Sequence, residues 1–304
     1  MYDCTQTISD QLIALGARQN VPFSELTSFR IGGNAAYVLE PVAYETISEA
    51  IACCKTASLP ICLLGKGTNV LASDAGFSGL VIRFDRPLHP PVWNGTHVIA
   101  CAGTSLTQLA KESVAKGCMG MEYLCGIPGT VGGACAMNAG AYGAEVKQIL
   151  RRVRVLQSGA DRWIPVDPDA LGYRKSPFSF PDYIVLEAEF ALSPDDGGAA
   201  ERMKDATIRR REKQPLEYPS AGSVFKRPAG HFAGALIEQC GLKGKTIGGA
   251  QVSEKHAGFI INLGNATERD VTELIARIQE TVRTETGVSL ECEIKRMGEG
   301  ACIC

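Results

Sequence analysis

The stretch GIPGTVGGACAMNAGAYGAE, residues 126–145, holds six glycines and five alanines in twenty positions and closes on its one charge, Glu145. Glycine loses more conformational freedom on folding than any other residue and weakens helices and strands, so folded chains concentrate it where the backbone turns sharply or approaches something closely. A backbone this bare is either an inert surface loop or a surface built to touch a ligand directly. Two other loops bear on the choice. LLGKGTN (63–69) follows a short apolar run and places Gly65, Gly67, Thr68 and Asn69 where successive N–H groups can form an anion-binding nest. It has neither the spacing of a P-loop nor that of a Rossmann turn, and alone it reads equally well as an ordinary strand-to-loop turn. SFRIGG (28–33) comes early enough in the chain to help wall the same site.

Around these loops β and α signals alternate. Residues 59–65 and 78–84 read as short buried strands, 105–117 as an amphipathic helix closed by Gly117, and 183–192 as a half-buried strand. Residues 199–215 read as a charged helix ended by Pro215. In 267–287, Thr267 and Asp270 make a capping box, Val271, Leu274, Ile275, Ile278 and Val282 repeat at helical spacing, and Gly287 stops the helix. A composition break falls at SPDDGG (193–198). A chain of 304 residues exceeds what one core usually serves. The expected division is 1–95, with 291–304 returning to it, then 96–198, then 199–290.

A formal net charge of −2 gives no field for nucleic acid or an anionic membrane, so an anionic ligand must be held by local groups. The opening residues lack a basic start followed by an apolar core, and no apolar run reaches the ~18–20 residues of a membrane span, which points to the cytoplasm. The twelve cysteines are scattered, often within apolar runs, and read as reduced packing residues. Cys302 and Cys304 form a C-x-C in the tail, and the four histidines lack metal-ligand spacing, so no metal is expected. Two bare loops too poor in side chains for acid–base work suggest a large anionic cofactor lying across a seam, and a dinucleotide fits that description.

Seven blocks then occur in order: SFRIGGNAAYVLEP, LLGKGTNVLASDAGFSGLVI, GMEYLCGIPGTVGGACAMNAGAYGAE, YRKS, PSAGSVFKRP, GLKGKTIGGAQVSEKHAGFIIN and LECEIKRMGE. On these blocks, from about residue 22 to 299, the chain resembles the UDP-N-acetylenolpyruvoylglucosamine reductases of bacterial peptidoglycan synthesis. The resemblance implies an α+β architecture: an FAD-binding fold of the vanillyl-alcohol-oxidase type, made of two α/β subdomains, followed by a substrate domain. It implies non-covalent FAD on Gly65, Gly67, Thr68, Asn69 and Val70, and on Gly126, Ile127, Pro128, Gly129, Thr130, Gly132, Gly133, Asn138, Ala139 and Gly140. NADPH and UDP-N-acetylglucosamine enolpyruvate are the implied reactants.

Reducing an enolpyruvyl ether requires a hydride source, a cation or acid to hold the enolate, and a proton donor. The family pattern places enolate stabilisation on Arg174 and Glu293 and protonation on Ser223. Lys213 and Lys226 would face the diphosphate, as ammonium and guanidinium groups suit phosphate, and Arg227 is counted with them as substrate-binding, its part there left open. Outside these motifs each would read as a solvated surface or turn residue. Thr68 stands where the family more often has serine, Cys292 where it usually has proline, and Arg227 where some relatives have asparagine. His256 reads as a structural hydrogen-bonder before an apolar strand. The 49 positions separating Arg174 from Ser223 match the shorter type of relative, without the extra segment that folds over substrate. Two other readings stay open from the residues: a flavin oxidase on the same cofactor fold, and a nucleotide-sugar-binding protein that kept the fold without the chemistry.

Overall fold

The computed structural model describes residues 7–298 and the backbone of 301–302. Near its start, Arg18–Pro22, Asn34–Leu39, Phe77–Arg83 and Ile61–Leu64 form a four-stranded sheet in that spatial order. The two apolar runs expected as strands lie side by side and parallel, Leu80 against Ile61 and Val81 against Cys62. One face of this sheet buries Phe23, Val38, Val81 and Met297. Its other face, with Leu39, Leu80 and Ile82, shares a core with the helix Tyr44–Thr56 and with the whole next sheet.

That next sheet is antiparallel, in the order Ala160–Pro165, Leu150–Gln157, Ile184–Ala191, His97–Cys101, Val92–Asn94. Its central strand differs from the half-buried reading: Ile184, Val185, Leu186, Glu187 and Ala188 are all buried, because it has neighbours on both sides and cover on both faces. Glu187 is tolerated there because Arg154, on the adjacent strand, donates to it at 2.9 Å. The helix Leu106–Ala115 starts on Ser105, whose hydroxyl accepts from Gln108 N–H, and ends before Gly117 at φ 71°.

Past the charged helix Ala199–Lys213, which stops at Gln214 and Pro215, a third sheet runs Ser220–Ser223, Phe259–Asn262, Ala250–Val252, Thr246–Ile247. The helix Glu268–Thr286 begins on the expected capping box of Thr267 and Asp270 and ends at Gly287, φ 74°. Val271, Leu274, Ile275, Ile278 and Val282 are all buried under it. Each contributes about 1.5–3 kcal/mol of apolar transfer, ample to fix the helix on its sheet. The chain then returns: Lys295–Gly298 pairs parallel with Val70–Ala72, directly behind the first glycine loop.

Among the described residues the assigned cysteines are free thiols, mostly buried. Cys304 and the Cys302 side chain lie outside what is described.

Candidate active site

The second glycine stretch is more structured than its composition suggests. Thr130 caps a short helix, Val131–Met137, by accepting from Gly133 N–H, and Asn138 ends that helix in the left-handed region at φ 42°. A two-residue hairpin follows, Gly140–Ala141 against Ala144–Glu145. The two glycine loops abut, since a methyl group on Gly65 would lie 2.6 Å from Thr130 Oγ1. Between them and the third sheet opens a cavity of about 1050 Å³.

Of the residues expected to hold a cofactor, Gly65, Gly67, Thr68, Asn69, Val70, Ile127, Pro128, Gly129, Thr130, Gly133, Ala139 and Gly140 line this cavity. Gly126, Gly132 and Asn138 stand behind its wall. Side chains at Gly126 and Gly132 would meet Arg210 Cδ at 2.7 Å and Ala102 Cβ at 2.9 Å, so these glycines let a neighbour in close. Asn138 is fully buried and ties the hairpin to the next loop, donating to Glu145 at 3.2 Å and to Gly172 O at 2.9 Å. The SFRIGG segment serves two places. Phe29 and Ile31 are buried in the core of the third sheet, while Ser28 and Arg30 line an adjoining cavity of about 750 Å³.

The cavity suits an anionic dinucleotide. Among the described residues, the backbone N–H groups of Gly65, Lys66, Gly67, Thr68 and Asn69 donate to no protein acceptor, and neither do those of Gly129 and Thr130. Unpaired donors are rare in a folded interior, and consecutive ones facing open space match an anion. A methyl group on Gly129 would find only Thr68 Oγ1, at 3.9 Å. Arg210, on the charged helix, lines both cavities and forms no ion pair among the described residues. Burial lowers its pKa and the neighbouring Arg174 adds to that, so an anion would relieve it.

Three elements far apart in the chain form the opposite wall. Tyr173 and Arg174 form the corner of the turn Gly172–Lys175, closed by paired backbone bonds of 3.0 and 3.1 Å, and Arg174 sits at φ 55°. A left-handed arginine is held against about 1 kcal/mol or more of strain, which occurs mainly where the surroundings require the side chain in one place. Its Nε donates to Glu293 Oε1 at 2.8 Å and its Nη2 to Gly140 O at 3.3 Å. Glu293 is clamped on both sides: its N–H donates to Val224 O at 2.7 Å, and its carbonyl accepts from Asn69 Nδ2 at 3.3 Å. The strand carrying Ser223 and the first glycine loop therefore share it. Burial raises the Glu293 pKa more than Arg174 lowers it. Ser223 ends the strand Ser220–Ser223 and lines the cavity, and its hydroxyl has no protein partner among the described residues.

Lys213 and Arg227 also line the cavity, whereas Lys226 does not, because its ammonium is paired with Glu291. The Arg227 guanidinium stacks 4.5 Å from the Phe232 ring, and the Arg227 backbone N–H donates to Tyr173 Oη. Arg210 was hidden in the sequence among the charges of a helix that reads as a solvated face. The glycine it packs on, Gly126, lies 84 positions earlier and carried no signal for the pair. His256 is also on the wall: its Nδ1 accepts from Gly258 N–H at 3.1 Å, which leaves the proton on Nε2, and burial lowers its pKa.

Residues 35–161 match the FAD binding domain model, and residues 214–297 match the model described as UDP-N-acetylenolpyruvoylglucosamine reductase, C-terminal domain. The fold is that of an FAD-binding oxidoreductase. The UDP-N-acetylenolpyruvoylglucosamine reductase of Listeria welshimeri is 42% identical over 96% of this chain and 99% of its own length. That of Geobacillus thermodenitrificans is 44% identical over 96% and 98%. The crystal structure of the Thermus caldophilus reductase is similar with a TM-score of 0.77 and 34% identity, covering 92% of this chain and 99% of that one. The chain belongs to the UDP-N-acetylenolpyruvoylglucosamine reductase family.

Proposed function

We propose that this chain reduces the enolpyruvyl ether of UDP-N-acetylglucosamine enolpyruvate to UDP-N-acetylmuramate in the cytoplasm, with NADPH as the reductant. One observation carries the reading. Arg174, Ser223 and Glu293, drawn from three separate elements, line the same cavity as the two glycine loops. Among the described residues no helix is long and apolar enough to cross a membrane. The division 1–95, 96–198 and 199–290 belongs to the same reading, with the first two units holding FAD and the third the sugar nucleotide.

FAD supplies the hydride when bound. The free N–H groups at 65–69 and 129–130 take its anionic and flat parts without intervening side chains, which is what the bare sequence at 126–145 serves. The Arg174 fork grips the substrate carboxylate as charge moves onto it. Glu293, favoured in its protonated form by burial, donates a hydrogen bond to the same developing enolate. Ser223 Oγ, free of protein partners, delivers the proton to the enolate carbon. Lys213, Arg227, Arg210 and the Nε2–H of His256 supply cation and donor chemistry for the diphosphate. Tyr173, Arg227 and Phe232 line the same cavity with both rings largely exposed.

The test is optical. The purified protein should be yellow, bleach with NADPH without oxygen, and regain its colour when the enolpyruvyl sugar nucleotide is added. A flavin that reoxidises only with oxygen would indicate the oxidase reading. A flavin that NADPH never bleaches would indicate a binding protein. Acid precipitation should leave a colourless polypeptide, since the FAD is held non-covalently.

A further inference from the structure

Away from the cavity, three side chains of different chemistry meet where the first sheet's outgoing loop touches the second sheet. Cys101 and Glu187 are direct cross-strand neighbours, and His89 reaches them from the loop between Phe77–Arg83 and Val92–Asn94. Their ligand atoms all lie within 4.8 Å of one another. Tyr44, the first residue of its helix, brings its hydroxyl to 3.5 Å from His89 Nε2 and 3.6 Å from Cys101 Sγ. Cys101 and Glu187 are buried, while the His89 side chain is 36% exposed and leaves a path from solvent.

The hydrogen bonding within the group does not close unless something positive sits in it. His89 Nδ1 is 2.9 Å from Pro90 O, and a carbonyl only accepts, so Nδ1 carries the proton. In the neutral ring Nε2 is then an acceptor, yet it lies 2.7 Å from the carboxylate oxygen Glu187 Oε1. Two acceptors that close require a cation between them, a proton or a metal. A metal can balance the charge as a proton does: once it displaces the Cys101 thiol proton, which lies toward His89 O at 3.5 Å, the thiolate, Glu187 and the exposed Asp161, set against Arg154, leave two negative charges for the ion to meet. The surroundings also resemble a metal's outer shell. The histidine is oriented by a backbone carbonyl, and Glu187 Oε2 is held by Arg154 at 2.9 Å, leaving Oε1 free to ligate singly.

We propose that His89 Nε2, Cys101 Sγ and Glu187 Oε1 bind a divalent cation of the zinc class, with water in the fourth position and the Tyr44 hydroxyl donating to the thiolate. Mixed nitrogen, sulfur and oxygen donors are the set zinc takes, and His89 Nε2 and Glu187 Oε1, 2.7 Å apart, would move slightly apart to admit it. Binding releases the thiol proton and ties the loop after the first sheet to the centre of the second, so the ion is structural. It touches none of the residues lining the cavity. Ligand spacing in the sequence gives no sign of it, because each ligand comes from a different element.

The holoenzyme, stripped with a chelating resin, is titrated with Zn²⁺ and separately with Co²⁺. The expected result is one equivalent of Zn²⁺ retained through gel filtration, a raised Tm, and Co²⁺ absorption at wavelengths beyond the flavin bands. His89→Gln and Cys101→Ser should each lose the retained ion and the Tm response, with FAD content and turnover intact. Cys240→Ser should keep both. If the buried Cys101→Ser does not fold, His89→Gln, on a half-exposed side chain, decides alone. The proposal is overturned if no Zn²⁺ is retained, or if His89→Gln retains it unchanged, which would place the ion on other cysteines. It is equally overturned if NMR of the Zn²⁺-treated protein shows His89 protonated on both nitrogens, meaning that a proton fills the gap.

Discussion

On one side of the cavity, residues 65–69 and 129–130 present backbone: free N–H groups and, at Gly129, space where a methyl group would meet almost nothing. On the other side, Arg174, Ser223 and Glu293 present side chains on strained or clamped backbone. The first wall is local, two loops each continuous in sequence. The second joins residues up to 119 positions apart, and the Arg174–Glu293 bond spans that whole interval. Holding a cofactor needs many weak donors in a fixed array, which a continuous loop supplies cheaply. Moving charge and a proton on a substrate needs a few strong groups at fixed mutual positions, and the tertiary fold must bring those together.

If the division of labour is real, the two walls fail differently when altered. Ser223→Ala is the most severe test of the side-chain wall. Flavin reduction by NADPH should stay near wild type, while reoxidation by the enolpyruvyl substrate slows by roughly 10²–10⁴, the range a positioned proton donor supplies. Stopped-flow flavin absorbance reads both steps on one sample. Equal slowing of both would mean that the serine supports the flavin site, and the comparison would collapse.

Arg174→Lys keeps the charge but loses the fork that reaches Glu293 and Gly140 together. One charge-assisted hydrogen bond is worth about 1.5–3 kcal/mol, so the substrate half-reaction should fall roughly ten- to a hundredfold with FAD affinity unchanged. A drop in FAD affinity of similar size would put Arg174 on the cofactor wall.

Within the backbone wall, two glycines separate ligand contact from fold. Gly129→Ala adds a methyl group into open space, so the apoprotein Tm should hold while FAD binds about ten- to a hundredfold more weakly, the effect of about 1–3 kcal/mol of overpacking in the complex. Gly67→Ala places its methyl 2.4 Å from Leu26 O at φ 62°, so the apoprotein itself should lose about 1–3 kcal/mol. FAD titrations and thermal melts of both variants separate the two. An unaltered FAD affinity in Gly129→Ala would take that glycine out of the cofactor contact.

The gentlest probe is pH. Burial raises the Glu293 pKa, so the folded state binds its proton more tightly than the unfolded state does. The stability that proton contributes is fully present below the ordinary glutamate range and is lost as pH rises through the raised value. The substrate half-reaction should decline over the same alkaline limb, as the carboxyl loses the proton it donates. Glu293→Gln, neutral at every pH and still able to accept from Arg174 Nε, should flatten both profiles. A limb that persists in Glu293→Gln would assign the titration to another group.

Much of the backbone wall could be read directly, because its physics is local. A run of glycine and alanine limits what a segment can do whatever surrounds it, and the helix Glu268–Thr286 likewise carries its cap, its stripe and its stop within twenty-one residues. The side-chain wall could be read only through resemblance to known reductases, since Arg174, Ser223 and Glu293 taken singly look like turn or surface residues. Arg210 shows the limit of such reading. Among the charges of Ala199–Lys213 nothing marks it as one that turns inward, and the packing of its stem against Gly126 is a fact of the interface between two elements. Glu187 shows the same limit in the opposite sense: the alternation in LEAEF reads as a half-buried strand, and only the strands on either side bury Glu187 against Arg154 and His89. The sequence determined the elements, the bare glycine loops and the family, because those rest on periodicity, steric constraint and motif order along the chain. The tertiary structure decided which charges are buried, which groups share a cavity and which pKa values move, because burial and the distance between residues far apart in sequence exist only once the chain has folded.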